Sequence, residues 1–401
     1  MSDIQVKETK PSYRNKALDG LRGLGCLLVL IGHTQWNSVT ILPGAVIAMD
    51  IFFVLSGFLI TGLIINEKDK TGSIELIRFW KRRAIRLFPA FYVYFAIGAT
   101  IFFASGFQPI VGTDSVVTLL STAFYGSNWA VGQGYNLGIF AVTWSLSLEE
   151  QFYFLCPLFF LFSFKYFSKK TTMYILIALI IGVNIHRYQL FHSLMESKGI
   201  MLAWKRCFYG LDTRGDSLLV GCLSALFLKL YGDKIRIGPK LGMTSMVLIL
   251  LCLLIRDLPV AYHIAENSFY TEFLMTGGFT VFSLVGVMVI IHLVQFPNSL
   301  LSKLLSPKWL VRVGIMSYSI YLWHTTVFGG IEVLLKSFNR TPALWALKTF
   351  IRFSVAFIIA YFSFRFVEGP ILKSLAKKRN FAPIPKESET KHIISTTEET
   401  T

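Results

Sequence analysis

The chain has 401 residues, of which 54% are hydrophobic, 15% aromatic and only 15% charged; 39 Lys and Arg against 23 Asp and Glu give a formal net charge of +16. Soluble globular domains carry about a quarter charged residues, so this composition excludes a disordered chain and argues against a soluble enzyme. It points to an all-α integral membrane protein, with the basic excess read as cytoplasmic loops facing anionic lipid.

The first sixteen residues are polar, and the first apolar run lacks a small-residue cleavage site, so it is expected to stay as a helix. Apolar stretches long enough to cross a bilayer follow at 17–36, 44–65, 87–106, 144–164, 171–190, 215–231, 241–256, 273–296, 314–335 and 344–367. With the N-terminus inside, the cytoplasmic segments hold 28 of the 39 Lys and Arg and the outer segments hold 8. That asymmetry predicts ten transmembrane helices with both termini cytoplasmic. The organisation expected is a tail over 1–16, a membrane domain over 17–370, and a disordered cytoplasmic tail over 371–401, rich in Ser, Thr and Glu. Because the charge is spread over six inside segments and not on one face, a nucleic-acid partner is disfavoured and membrane lipid is the expected one. Cys26, Cys156, Cys207, Cys222 and Cys252 form no CxxC pair and read as small membrane-buried residues.

Ionisable groups inside apolar spans are costly, so each is a functional candidate. In the first span Arg22 and His33 are eleven residues apart, roughly 20° past three full turns, and therefore share a face about 16 Å apart. In the second, Asp50 enters from the outer side, and Ser56-Gly57 reads first as a packing notch between helices. The stretch Arg78-Phe79-Trp80-Lys81-Arg82-Arg83-Ala84-Ile85-Arg86 is the most basic in the chain. Arg83 and Arg86, three apart, would project side by side and suit the phosphates of a bulky anionic ligand, although a lipid anchor explains Lys81 and Arg82 equally well. In Trp144-Ser145-Leu146-Ser147-Leu148-Glu149-Glu150-Gln151-Phe152-Tyr153, adjacent carboxylates cannot both face lipid, so one is expected in a cavity or capping the helix. Asp212-Thr213-Arg214-Gly215-Asp216 places a charged group at the outer mouth of the sixth span, where an ion-pair brace is as reasonable as a direct role. Ser317-Tyr318-Ser319-Ile320-Tyr321-Leu322-Trp323-His324 puts a second imidazole mid-span, and Val367-Glu368-Gly369-Pro370 ends the last one. No HExxH, His/Cys metal cluster, GxGxxG or Walker sequence occurs, so no metal and no permanently bound cofactor is expected.

Taken in order, LDGLRG with the Arg22–His33 pair, DIFFVLSGFLI at 50–60, RRAIRLFP at 82–89, WSLSLEEQFY at 144–153, DTRGD, SYSIYLWH and VEGP resemble the acyltransferase-3 family of integral membrane acyltransferases. That family includes bacterial O-antigen and peptidoglycan O-acetylases, and the resemblance runs from about residue 17 to 370. Met49 stands where the family commonly has Val, and Gly369 where a basic residue is usual. The chain beyond 370 is expected to be too short for the extra SGNH domain of some relatives.

The resemblance implies transfer of an acyl group, usually acetyl, from cytoplasmic acetyl-CoA to a hydroxyl of a carbohydrate or glycolipid acceptor at a bacterial plasma membrane. Arg22, Arg83 and Arg86 would hold the donor. His33 would act as base or acyl carrier, and Glu149 would orient it, either by direct transfer or through an acyl-enzyme. Asp50, Glu150, Tyr153, Arg214, Asp216 and His324 are secondary pocket candidates, unless they serve only as polar contacts between helices. A transporter or flippase, and a scaffold whose charges only brace helices, are the rival readings; the lack of evident internal repeats weakens the first.

Overall fold

A computed structural model describes residues 15–36, 39–104, 114–254, 269–339 and 341–374. Most of both expected tails, including the segment expected to be disordered from 375 on, lies outside the described residues.

The described chain is almost entirely helical. It comprises α1 (Lys16–Gly32), α2 (Ala48–Thr71), α3 (Leu76–Ala104), α4 (Ser115–Ala123), α5 (Ser127–Gly132), α6 (Thr143–Tyr166), α7 (Lys169–Lys198), α8 (Ile200–Tyr209), α9 (Leu211–Arg214), α10 (Asp216–Tyr231), α11 (Pro239–Cys252), α12 (Phe269–Phe273), α13 (Phe279–Gln295), α14 (Leu300–Leu304), α15 (Lys308–Leu334) and α16 (Pro342–Ser363). Among the described residues the only strands are two-residue segments, Gln35–Trp36 and Val39–Thr40, paired antiparallel. π-helical turns over Leu274–Gly278 and Phe364–Glu368 link α12 to α13 and extend α16.

Each apolar stretch expected to span the bilayer overlaps a helix among the described residues, although 17–36 outruns α1, which ends at Gly32. Five helical runs are long and apolar enough to cross a membrane by length and composition: Ala48–Thr71, Leu76–Ala104, Lys169–Lys198, Phe269–Gln295 and Pro342–Ser374. The remaining stretches are short, as in the 17-residue α1 and 16-residue α10, or carry polar groups that the bundle turns inward, as in α6 and α15. The outer surface is strongly apolar: Val93, Ile97, Ile101 and Phe103 on α3, Ile181 and Ile185 on α7, and Phe350, Ile358 and Phe362 on α16 are exposed. An apolar exterior around a polar interior is what a hydrocarbon solvent selects.

The bundle is built around α2, which packs most extensively on α10 and also meets α13, α1 and α6. Gly57 and Gly221 permit that approach, since a Cβ on either would collide with the backbone of the facing helix. A second close pair joins α1 to α15 through Gly23 and Gly314.

Two helices are longer than the stretches that announce them. α3 begins at Leu76, so the basic run 78–86 is one continuous helix with the following apolar stretch and not a loop before it. α7 runs on to Lys198, and its 30 residues measure about 45 Å, well beyond a hydrocarbon core of about 30 Å. Of the segment 107–143, expected on the outer side, the described part from 114 on folds back onto the bundle. Tyr92 Oη donates to the Ala123 carbonyl at 3.1 Å, and the Tyr125 ring stacks on Phe91 with centroids 4.2 Å apart. Gln151 Nε2 donates to the Tyr125 carbonyl at 2.8 Å.

Candidate active site

A cavity of about 800 Å³ lies between α1, α2, α3, α6 and α15. Helical periodicity explains its walls. On α2 the lining residues Met49, Phe52, Ser56, Leu59, Leu63 and Asn66 recur every three or four positions, one face of the helix. Ser145, Glu149 and Tyr153 do the same on α6, with Glu150 beside Glu149, and Gly314, Ser317 and Tyr321 on α15, with Tyr318 beside Ser317.

The three arginines expected to bind a donor all line this cavity. Arg22 sits 3.6 Å from Asp19, one turn earlier on α1. Arg83 lies over the Tyr153 ring at 3.5 Å, a cation–π contact that fixes the guanidinium plane, and its Nε is buried without a hydrogen-bond partner. Arg86 lines the same wall with Glu368, whose carboxylate is held by Ser319. Four carboxylates, Asp19, Glu149, Glu150 and Glu368, thus share the lining with three guanidiniums.

Glu149 accepts from Ser56 Oγ at 3.2 Å on one oxygen and from Tyr153 Oη at 2.9 Å on the other. Glu150 lines the cavity beside it and has no hydrogen bond among the described residues. The hydrogen bonds of Glu149 among the described residues thus run to Ser56 and Tyr153, and none of them runs to His33, the residue it is expected to orient. Ser56 likewise turns out to be a cavity residue, whereas its neighbour Gly57 is the packing notch.

His33, expected as a buried imidazole toward the outer side of the first span, lies at the end of that helix. It caps the C-terminal end of α1 and is exposed. α1 ends at Gly32, so the ring projects past the helix and not from its middle. Its Nδ1 contacts the Val29 carbonyl at 2.8 Å, and a carbonyl only accepts, so Nδ1 carries the proton and Nε2 presents a lone pair in the neutral ring. The ring partner is His324, 4.8 Å away and edge-on. His324 is fully buried, its Nδ1 donates to the Tyr321 carbonyl at 2.7 Å, and its Nε2 has no hydrogen-bond partner.

The cavity stops short of these imidazoles. At its α2 N-terminal end Ser145 Oγ and Tyr321 Oη are 2.6 Å apart, and the Tyr321 ring lies 5.3 Å from that of His324. A layer one side chain thick thus separates the arginine-bearing cavity from the histidine pair.

The other secondary candidates divide. Glu150 and Tyr153 line the cavity, but Asp50, Arg214 and Asp216 do not. They belong to a buried ionic network behind α2. Arg214 Nη1 lies 2.6 Å from Asp50 and 2.9 Å from Ser217, while Arg187 Nη1 lies 2.9 Å from Asp216. Thr280 Oγ1 adds a 2.7 Å bond to Asp216. Two cations and two carboxylates balance inside the bundle, which is the bracing role. Asp212 faces the other way, braced by Arg206 and by His186 at 3.0 Å. Burial raises its carboxyl, but the Arg206 and His186 bonds outweigh that and hold it below the usual carboxylate range.

Sequence reasoning passed over Tyr125, Asp19 and Glu368, all of which line the cavity. Tyr125 has φ +54°, unusual for a bulky residue, and nothing in its local sequence signals that. Asp19 and Glu368 sit inside the LDGLRG and VEGP runs, which was the available signal. Among the described residues no group of three or more His, Cys, Asp or Glu gathers as a metal site.

A helical membrane bundle with a charged internal cavity and an imidazole pair beyond its end defines a class of intramembrane site suited to group transfer. The Acyltransferase domain family matches residues 15–363, and the chain belongs to that family. It is 31% identical over 366 residues to the peptidoglycan O-acetyltransferase OatA of Listeria monocytogenes, covering 89% of this chain and 56% of that protein. It is 32% identical over 378 residues to the O-acetyltransferase OatA of Staphylococcus aureus strain NCTC 8325, covering 91% of this chain and 58% of that protein. The chain therefore spans less than two thirds of the length of these curated relatives. No solved structure matches it.

Proposed function

We propose that this protein is a multi-pass membrane O-acetyltransferase that takes an acetyl group from acetyl-CoA at the cytoplasmic side and delivers it to a hydroxyl of a cell-surface carbohydrate. In this reading ten helices cross the bilayer, both termini are cytoplasmic, and the Asn66 end of the cavity faces the cytoplasm. Peptidoglycan, the acceptor in the printed name of the Listeria relative, is the first to try. The single observation that carries the reading is the cavity itself. It runs from Arg22, Arg83 and Arg86 to the Ser145–Tyr321 pair, immediately behind which stand His324 and His33.

The arginines suit the donor phosphates, since guanidinium binds phosphate oxygens through paired charge-assisted hydrogen bonds. His33 Nε2 suits the acceptor, because a neutral imidazole can take a hydroxyl proton near neutral pH. As the acceptor oxygen bonds to the acyl carbon, the thioester C–S bond breaks, and coenzyme A leaves as a thiolate that takes up a proton. Positioned proton transfer of this kind contributes about 10²–10⁴-fold. The Tyr321–His324 layer is crossed either by the thioester itself or by an acyl group held on the protein. Labelled acetyl retained on the protein when donor is supplied without acceptor distinguishes the second route.

The test is acetyl transfer by the protein in lipid vesicles, with labelled acetyl-CoA on one side and a muropeptide or glycan acceptor on the other. His33→Ala is expected to lower transfer at least 100-fold while the protein stays membrane-inserted. Full transfer by that variant, or movement of acceptor across the bilayer with no acetylation, would overturn the reading in favour of a transporter.

A further inference from the structure

The end of the cavity opposite its charges has a different chemistry. On α2, Met49 and Ser56 are seven residues apart, about 20° short of two full turns, so they share a face with Met49 roughly 10 Å nearer the histidines. Ser56 is bonded to Glu149, beside Tyr153 and the Arg83 guanidinium stacked on it. Past that level the α2 and α6 lining turns apolar, with Met49, Phe52 and Leu146, and the cavity is shut by the Ser145–Tyr321 hydrogen bond at 2.6 Å. Met49 is 8% exposed, and the Phe52 ring lies over Gly25 on α1, where a Cβ would come within 3.0 Å of it.

We propose that Met49 is the specificity-determining residue for the acyl group, forming with Phe52 and the Ser145–Tyr321 pair a short apolar end-wall that accepts acetyl and refuses longer chains. The inference rests on the donor reading above: phosphates at the arginines leave the acyl end as the part of the donor pointing away from charge, toward this wall. Of the apolar residues at that end, Met49 is the unbranched one whose shortening opens space while the Ser145–Tyr321 hydrogen bond stays in place. Phe52 fills the gap over Gly25, and Ser145 and Tyr321 hold each other. A hydrophobic pocket separates substrates differing by one methylene by about 10- to 200-fold. Each methylene newly accommodated is worth roughly fourfold, the equivalent of about 0.8 kcal/mol.

The experiment compares kcat/KM for acetyl-, propionyl- and butyryl-CoA in vesicles carrying wild type, Met49→Val, Met49→Ala and Leu63→Ala. Leu63 lines the cavity at its other end and reports general loosening. The expected result is a propionyl-to-acetyl ratio raised at least fourfold in Met49→Val, with the butyryl ratio raised further in Met49→Ala and both ratios unchanged in Leu63→Ala. Met49→Val removes little volume and serves if the alanine variant does not fold. Ratios unchanged in an active Met49→Val overturn the end-wall while leaving the donor reading intact, as does an equal shift in Leu63→Ala. A wild type that uses no acyl-CoA overturns the donor reading and the wall with it.

Discussion

Arg83 and Arg86 project from one face of α3 into the same cavity, so a single change at either leaves a cation behind. A charge-assisted hydrogen bond from guanidinium to phosphate contributes about 1.5–3 kcal/mol, or roughly 10- to 150-fold in donor affinity. Arg83→Ala with Arg86→Ala is accordingly expected to raise the KM for acetyl-CoA by at least tenfold; unchanged donor kinetics would return the pair to the role of lipid anchor. The two carboxylates on α6 differ in kind. Glu149 accepts bonds on both oxygens from Ser56 and Tyr153, and a glutamine can accept on only one, leaving one hydroxyl in a buried site to find another partner. Steady-state rates should therefore fall roughly 10- to 150-fold in Glu149→Gln and less than about fivefold in Glu150→Gln. The opposite order would show that the unbonded carboxylate is the important one. Adjacent acids are legible in the sequence as a cavity feature, but the partners that tell them apart come from α2 and from the next turn of α6.

Between elements, the packing of α2 on α10 places the site, because α2 carries cavity residues on one face and its glycine notch and ion pair on others. Gly57 and Gly221 face each other across that interface, and lipid provides no hydrophobic drive to hold a looser pair of helices together. Gly221→Ala is expected to cost about 1–3 kcal/mol by overpacking. Loss of folded protein in a detergent thermal-stability assay would report it, with the donor KM of the surviving fraction unchanged. The buried network of Asp50, Arg214, Asp216 and Arg187 fastens the same region, joining α2, α7, α9 and α10. Its charges look like pocket residues when read singly, because an intramembrane charge is costly wherever it sits. Only the packing shows that they offset that cost in one another. Arg187 stands near the end of the expected 171–190 stretch yet well inside α7, because a helix that outruns its apolar stretch gives no local sign of where it ends.

For the molecule as a whole, the charge asymmetry of its loops makes an orientation testable. Single cysteines placed at Ser73 in the α2–α3 turn and at Asp233 after α10 should react with an impermeant maleimide only from the cytoplasmic side. One at Ser197, near the end of α7, should react only from outside. Labelling of all three from one side would sink the ten-span arrangement. The native thiols interfere little, as four are buried and Cys252 is half-buried.

Composition, hydrophobic period and loop charge by themselves determined the helical membrane class, the apolar core of each long helix though not its ends, and the residues that carry charge into the bundle. These are local properties, written in stretches of twenty residues or so. What the tertiary structure alone decided is which of those charges meet. Glu149 binds Ser56 and Tyr153 and not His33, and His33 pairs with His324 from a helix nearly three hundred residues away in sequence. Asp50 and Arg214 close on each other behind the cavity. Such pairings depend on the rotation and depth of one helix against another, and those are fixed by glycine notches and side-chain packing between distant segments, which no single stretch of chain encodes.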